Sequence, residues 1–215
     1  MSNLIKRFIT SILLICIILI AFNNINILFL CAIFIFFQTY YENYLILNKL
    51  ILKKNKFTLY LLLLASLFYI CLFTFIILEV FLINSVEQKI IFYFIITICI
   101  CTDIGGYLFG KTFKGRKLTK ISPNKTYSGL YGSYIFSTAL CIFFYDKYFS
   151  YQIIVLTCIL ISTISQLGDL FFSYLKRKAK IKDTSNILPG HGGVLDRIDG
   201  MIFAIPFGMI LYKIL

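Results

Sequence analysis

Four aspartates stand where a bilayer tolerates acids poorly. Asp103, Asp169, Asp196 and Asp199 lie inside or at the edge of long apolar runs, where an ionised side chain costs ~2.5 to 3.5 kcal/mol at mid-bilayer and is a functional candidate by default. Carboxylates short of water either turn neutral or hold a cation. Acids with few imidazoles or thiols beside them suit a hard, oxygen-preferring ion such as Mg²⁺. The spacing of Asp196 and Asp199 puts both on one face of a helix that begins near Asp196. The structural alternative is that these acids simply pair with Arg197, Lys176 or Arg177. The only histidine, His191, cannot build a zinc site with buried thiols alone.

Two basic loops carry the other half of the chemistry. The first, from Lys111 to Gly129, contains Ser122, Pro123, Asn124, Lys125 and Thr126, a proline-set turn followed by a cation and a hydroxyl at a helix start. The second, from Lys176 to Gly193, ends in Pro189, Gly190, His191, Gly192 and Gly193. Glycines let backbone N–H groups approach and cradle phosphate oxygens, and a following helix adds the positive end of its dipole. Each loop alone reads equally well as a solvated basic turn. Together with acids for a divalent ion, they point to nucleotide or phosphoryl chemistry on a lipid. No G-x-S-x-G elbow occurs, which disfavours common lipases.

These residues must be positioned by membrane helices. Of 215 residues, 60% are apolar and 14% charged, against ~25% charged in a soluble domain. The run from Phe57 to Leu82 exceeds the ~20 residues needed to cross a ~30 Å hydrocarbon core. Continuous rather than alternating polarity excludes a β-barrel. The seven cysteines all lie in apolar runs and are odd in number, so they read as small hydrophobes rather than a disulfide framework. The expected fold is all-α, a polytopic helical bundle of about seven spans near 8–22, 25–41, 57–82, 88–110, 129–145, 151–172 and 198–215. The first two could form a re-entrant pair or hairpin around Asn23, Asn24 and Asn26. The whole chain, 1–215, reads as a single membrane domain, with N-terminal helices over 1–100 and a catalytic half over 101–215.

Charge sets the orientation. With the N-terminus cytoplasmic, all lysines and arginines except Lys89, Lys147 and Lys213 fall on the cytoplasmic side, as retention of positive loops requires. The net charge of +12 thus belongs to loops between spans rather than to nucleic-acid binding. Lys6 and Arg7 before an apolar run have the outline of a signal peptide, yet no small-x-small cleavage site follows, so that run is read as a retained span. Glu79, near the end of the third span, is assigned no role.

The segment from Ser173 to Asp199 carries Lys176, Arg177, Lys182, Asp183, Ser185, Pro189, His191, Gly192, Gly193, Asp196 and Arg197. Position for position it resembles the signature of the phosphatidate cytidylyltransferases, also called CDP-diglyceride synthases. Asp103 to Lys111 and Ser122 to Gly129 are similar to two further blocks of that family, so the resemblance covers about half the chain, from Asp103 to Pro206. The family usually has alanine where this chain has Gly106, and a Trp-Glu pair where it has Tyr127 and Ser128. The chain is also shorter than most bacterial members.

The resemblance implies a nucleotidyltransferase of phospholipid biosynthesis that condenses CTP with phosphatidic acid, giving CDP-diacylglycerol and pyrophosphate. It implies Mg²⁺ as cofactor, with a monovalent cation beside it left open. Asp169 and Asp196 are then the leading metal ligands, with Asp199 and Asp183 as weaker ones and Asp103 as a further polar anchor or ligand. Asp169, Asp196, Asp199, Lys182 and Arg197 form the catalytic set. Ser122, Lys125, Thr126, Ser173, Lys176, Arg177, His191, Gly192 and Gly193 contact substrate. The expected partners are CTP, phosphatidic acid and the bilayer, with no nucleic acid and a homodimer left open. The expected location is a bacterial inner (plasma) membrane, with the site on its cytoplasmic face. The rivals are a related CTP-dependent lipid kinase or cytidylyltransferase acting on another lipid, such as an isoprenoid alcohol or an archaeal lipid, and a membrane transporter.

Overall fold

Runs of leucine, isoleucine and phenylalanine leave the backbone no solvent partner in lipid, so it must satisfy its own N–H and C=O groups, and helices result. The computed structural model describes residues 3–51, 55–119, 122, 125–190 and 192–214, with side chains from residue 9 onward. Its helices are α1 (Asn3–Asn23), α2 (Ile25–Leu50), α3 (Lys56–Ile83), α4 (Val86–Phe113), α5 (Tyr127–Tyr145), α6 (Tyr151–Lys178), α7 (Leu195–Ile198) and α8 (Met201–Ile214). No strand forms among the described residues, only isolated bridges pairing Lys117 with Thr126 and Leu188 with Gly192. The protein is therefore all-helical. By length and composition α2, α3, α4 and α6 can each cross a membrane, which makes it a multi-pass membrane protein.

Every expected span is helical, but three boundaries change for physical reasons. The hairpin expected around the asparagines is a one-residue break at Asn24, whose side chain accepts the Asn26 N–H at 3.0 Å and caps α2. The second helix does not stop at 41. It runs to Leu50 because Glu42 and Asn43 turn inward, where they are buried. The last helix is not continuous either, since α7 closes at Ile198 and Asp199 and Gly200 form a turn before α8. Asp196 and Asp199 consequently do not share one helical face. Gly200 sits tightly here, because a Cβ on it would lie 2.6 Å from Ser165 Oγ.

The chain forms two compact units. The first joins Met1–Ser85 with Leu175–Ile198. Within it α2 packs against α1, α3 and α7, around Leu28, Ile46, Phe73, Val80 and Leu195. Phe22 stacks on Phe81 with ring centroids 5.2 Å apart.

The second unit joins Val86–Tyr174 with Asp199–Leu215. Its main seam is between α4 and α5, where glycines replace side chains. A Cβ on Gly105 would lie 2.7 Å from Phe136 Cβ, one on Gly129 would lie 2.8 Å from the Gly106 carbonyl, and one on Gly132 would collide with the Phe109 ring. Small residues of this kind let membrane helices pack backbone to backbone. Cys99, Cys101, Cys141 and Cys158 are buried free thiols in this unit, as their apolar setting predicts. Thr102 donates to Ser162 Oγ at 2.9 Å, so each of these buried hydroxyls has a partner.

Candidate active site

In the second unit, the connection from α4 to α5 folds back on itself before entering the helix. The Leu118 N–H donates to the Lys125 carbonyl at 2.7 Å, and the Tyr127 N–H to the Arg116 carbonyl at 3.1 Å. Thr126 then caps α5, its Oγ1 accepting the Gly129 N–H at 3.1 Å. Ser122 joins the turn by accepting the Lys125 N–H at 3.1 Å. With the backbone held on both sides, the Lys125 ammonium reaches Asp169 Oδ2 at 2.5 Å. Ser173, one turn on along α6, donates to Asp169 Oδ1 at 3.2 Å. Asp199 also lies against α6, since a Cβ on Gly168 would be 2.8 Å from its carbonyl oxygen. This unit thus gathers Ser122, Lys125, Thr126, Asp169, Ser173 and Asp199. Asp103 lies on α4, about three turns before its end.

In the first unit the centre is Asp196. Its Oδ1 accepts from Lys176 Nζ at 2.7 Å. Its Oδ2 accepts from the Thr184 N–H at 2.8 Å, the Thr184 hydroxyl at 2.9 Å and the Gly193 N–H at 3.0 Å. The Lys176 and Asp196 side chains are only 11% and 5% exposed. Burial on its own would push the Asp196 carboxyl up. Hydrogen bonds from Lys176 and from the Thr184 and Gly193 backbones, together with the lysine's charge, prevail and hold it below its usual 3.8. The glycine-rich turn is compact: Gly192 has φ +82°, and a Cβ on it would lie 2.9 Å from Asp196 Oδ2 and 3.5 Å from Asp183 Cβ. Arg177, Lys182, Asp183 and Arg197 are exposed on this unit. His191 lies outside the described residues.

One buried acid was absent from the expected set. Glu42 is 0% exposed and accepts hydrogen bonds from both limbs of the loop that leads to Asp196. The rule that singled out Asp103, an ionisable group within an apolar run, applies equally to Glu42. Glu42 lies one residue beyond the expected end of the second span at 41, and the longer α2 is what brings it inside.

Among the described residues no three histidine, cysteine, aspartate or glutamate side chains gather into a metal-sized cluster. Mg²⁺ does not need one, because it is usually held by one or two carboxylates, with phosphate oxygens and water completing the shell. Asp169 fits that use: it is 32% exposed and one of its oxygens already faces a positive charge. Asp196 fits through Oδ1 alone, since Oδ2 is committed to three donors.

The profile of the Cytidylyltransferase family matches residues 3–215. Over 110 residues the chain is 44% identical to the phosphatidate cytidylyltransferase of Bacillus subtilis (strain 168), covering 49% of this chain and 41% of that one. It is 40% identical over 146 residues to the phosphatidate cytidylyltransferase of Rickettsia typhi, covering 62% and 64%. With that of Rickettsia felis it shares 44% over 121 residues, covering 50% and 53%. The chain spans about half the length of the curated relatives it matches.

Proposed function

We propose that this chain, which belongs to the cytidylyltransferase family, transfers CMP from CTP to phosphatidic acid, giving CDP-diacylglycerol and pyrophosphate. The names of its bacterial relatives support that substrate pair. The observation that carries the reading within the molecule is the pairing of a lysine with an aspartate in each unit, Lys125 with Asp169 and Lys176 with Asp196. A lysine neutralised by a carboxylate stays ordered near the membrane surface until a phosphate competes for it.

The chemistry is an in-line displacement. An oxygen of the lipid phosphate monoester attacks the α-phosphorus of CTP, the bond to the bridging oxygen breaks, and pyrophosphate leaves with that electron pair. The nucleophile is already anionic near neutral pH, so no general base is needed. The obstacle is repulsion between two polyanions, and fixed positive charge is the remedy. Lys125 and Lys176 are assigned to phosphate oxygens, with Arg177, Lys182 and Arg197 adding charge and Ser122, Thr126 and Ser173 donating hydrogen bonds. His191, Gly192 and Gly193 are assigned to the nucleotide. Asp169 in the second unit and Asp196 in the first are each assigned to Mg²⁺, with Asp199 and Asp183 as weaker candidates and Asp103 as a further anchor or ligand; a bound ion would offset triphosphate charge and favour pyrophosphate as leaving group. Asp199 is assigned a supporting role beside Asp169.

The orientation belongs to the same reading. Seven crossings with a cytoplasmic N-terminus put the basic loops, and with them the site, on the cytoplasmic face of a bacterial plasma membrane, a placement supported by the distribution of lysine and arginine. The test is pyrophosphate release by detergent-purified protein. It should require CTP, phosphatidic acid and Mg²⁺ together, and fall at least 100-fold in Asp169→Asn. Release with another lipid but not with phosphatidic acid would instead favour the rival lipid substrate.

A further inference from the structure

Glu42 in the first unit accepts hydrogen bonds from five donors. Its Oε1 accepts from Gln38 Nε2 at 2.6 Å, Ser185 Oγ at 2.7 Å and the Val194 N–H at 3.0 Å. Its Oε2 accepts from the Thr184 hydroxyl and the Leu195 N–H, both at 2.8 Å. Four of these five donors lie on the loop, two at its start and two at its end, so one side chain of α2 ties both limbs of the glycine-rich segment together. A buried carboxylate is costly unless donors replace its water, and here the loop backbone and hydroxyls supply them. Space around it is closed, since a Cβ on Gly193 would collide with both Thr184 Oγ1 and Glu42 Oε2.

Thr184 links this acid to Asp196. Its Oγ1 lies 2.8 Å from Glu42 Oε2 and 2.9 Å from Asp196 Oδ2, yet a hydroxyl has one proton to donate. The two carboxylates therefore share one donor, and Asp196 relies on the Thr184 and Gly193 backbone N–H groups and on Lys176 for the rest. Those two N–H groups point at Asp196 only while the limbs of the loop stay together.

We infer that Glu42 is a positioning residue: by holding residues 184–185 and 194–195 together it fixes Asp196 Oδ2 and leaves Oδ1, with its single lysine partner, as the oxygen that exchanges partners during reaction. The functional half of this inference rests on the cytidylyltransferase reading above. The geometric half does not.

The experiment pairs hydrogen exchange with kinetics on the detergent-purified full chain. In Glu42→Gln, exchange at the Thr184 and Gly193 amides, which donate to Asp196 rather than to Glu42, should rise at least tenfold. Turnover per folded molecule should fall at least tenfold, with the KM for phosphatidic acid changed less than threefold. Thr184→Val and Ser185→Ala each remove one donor and keep the test available if Glu42→Gln does not fold; each should raise exchange at Gly193 by twofold to tenfold. Unchanged exchange at Thr184 and Gly193 in folded variants would overturn the inference. So would a lowered melting temperature with unchanged turnover per folded molecule, which marks a merely structural role. Wild-type protein without CTP-dependent pyrophosphate release would defeat the assigned reaction, while the exchange data would still decide the positioning.

Discussion

Asp196 in the first unit and Asp169 in the second are both paired with lysine, but in opposite circumstances. Asp196 and Lys176 are 5% and 11% exposed, and the carboxylate takes three further hydrogen bonds from the loop. Asp169 and Lys125 are 32% and 26% exposed, with one serine hydroxyl in support. Asp196 is built into its loop through Oδ2, and only its Oδ1 contact with Lys176 is open to exchange. The second pair is open to water and can change partners at little cost. Position at the edge of an apolar run ranks the two acids alike, whereas their exposure and hydrogen bonds separate a loop-bound carboxylate from an open one.

Removing charge from the loop-bound carboxylate should have the largest effect. Asp196→Asn removes the carboxylate that faces the buried Lys176 ammonium, a loss of about 3 to 5 kcal/mol, which is a large share of a typical domain's stability. Thermal unfolding in detergent should show a marked drop in melting temperature. A shift no larger than that of a surface variant would erase the contrast between the two pairs.

Acid should expose the same difference without mutation. The carboxyl of Asp196 is held below its usual 3.8, so its contribution to stability is complete above the unfolded-state value and is lost as pH falls through the lower folded-state value. Exchange protection at Thr184 and Gly193 should hold from neutral pH down to about 4 and then fail. In Asp196→Asn that acid-dependent step should vanish. Protection already lost near pH 6 would show that a different group governs the loop.

The smallest stability change is expected at the open pair. Lys125→Ala should cost less than about 1 kcal/mol, as exposed ion pairs do, while pyrophosphate release falls at least tenfold. Loss of folding rather than of activity would assign Lys125 to the structure of the α4–α5 connection.

The sequence displayed much of this arrangement, and its gaps have physical causes. The apolar runs located each helix, because length and hydropathy are local properties. Lys125, Asp169, Lys176 and Asp196 were legible as an acid and cation pattern, and the resemblance supplied their roles. Which lysine pairs with which acid was not legible, since pairing depends on how helices distant in the chain pack. Glu42 was hidden for the same reason: its loop partners are 142 to 153 residues away, and an acid next to asparagine looks like the end of a span. The break at Asp199 and Gly200 is an Asp-Gly turn, but its packing against Ser165 on α6 depends on a residue distant in the chain.

The glycine seam of α4 and α5 also bears on how freely this chain can vary. At Gly105, Gly129 and Gly132 any other residue adds at least a methyl group where backbone or Cβ atoms already lie. Elsewhere on the same helix α5, Ile135 and Phe143 are 60% and 76% exposed, and exchange there for another apolar side chain meets only lipid. One helix therefore has positions closed to every substitution and others open to nearly any oily one, so sequence drift in this protein is channelled by what each position packs against.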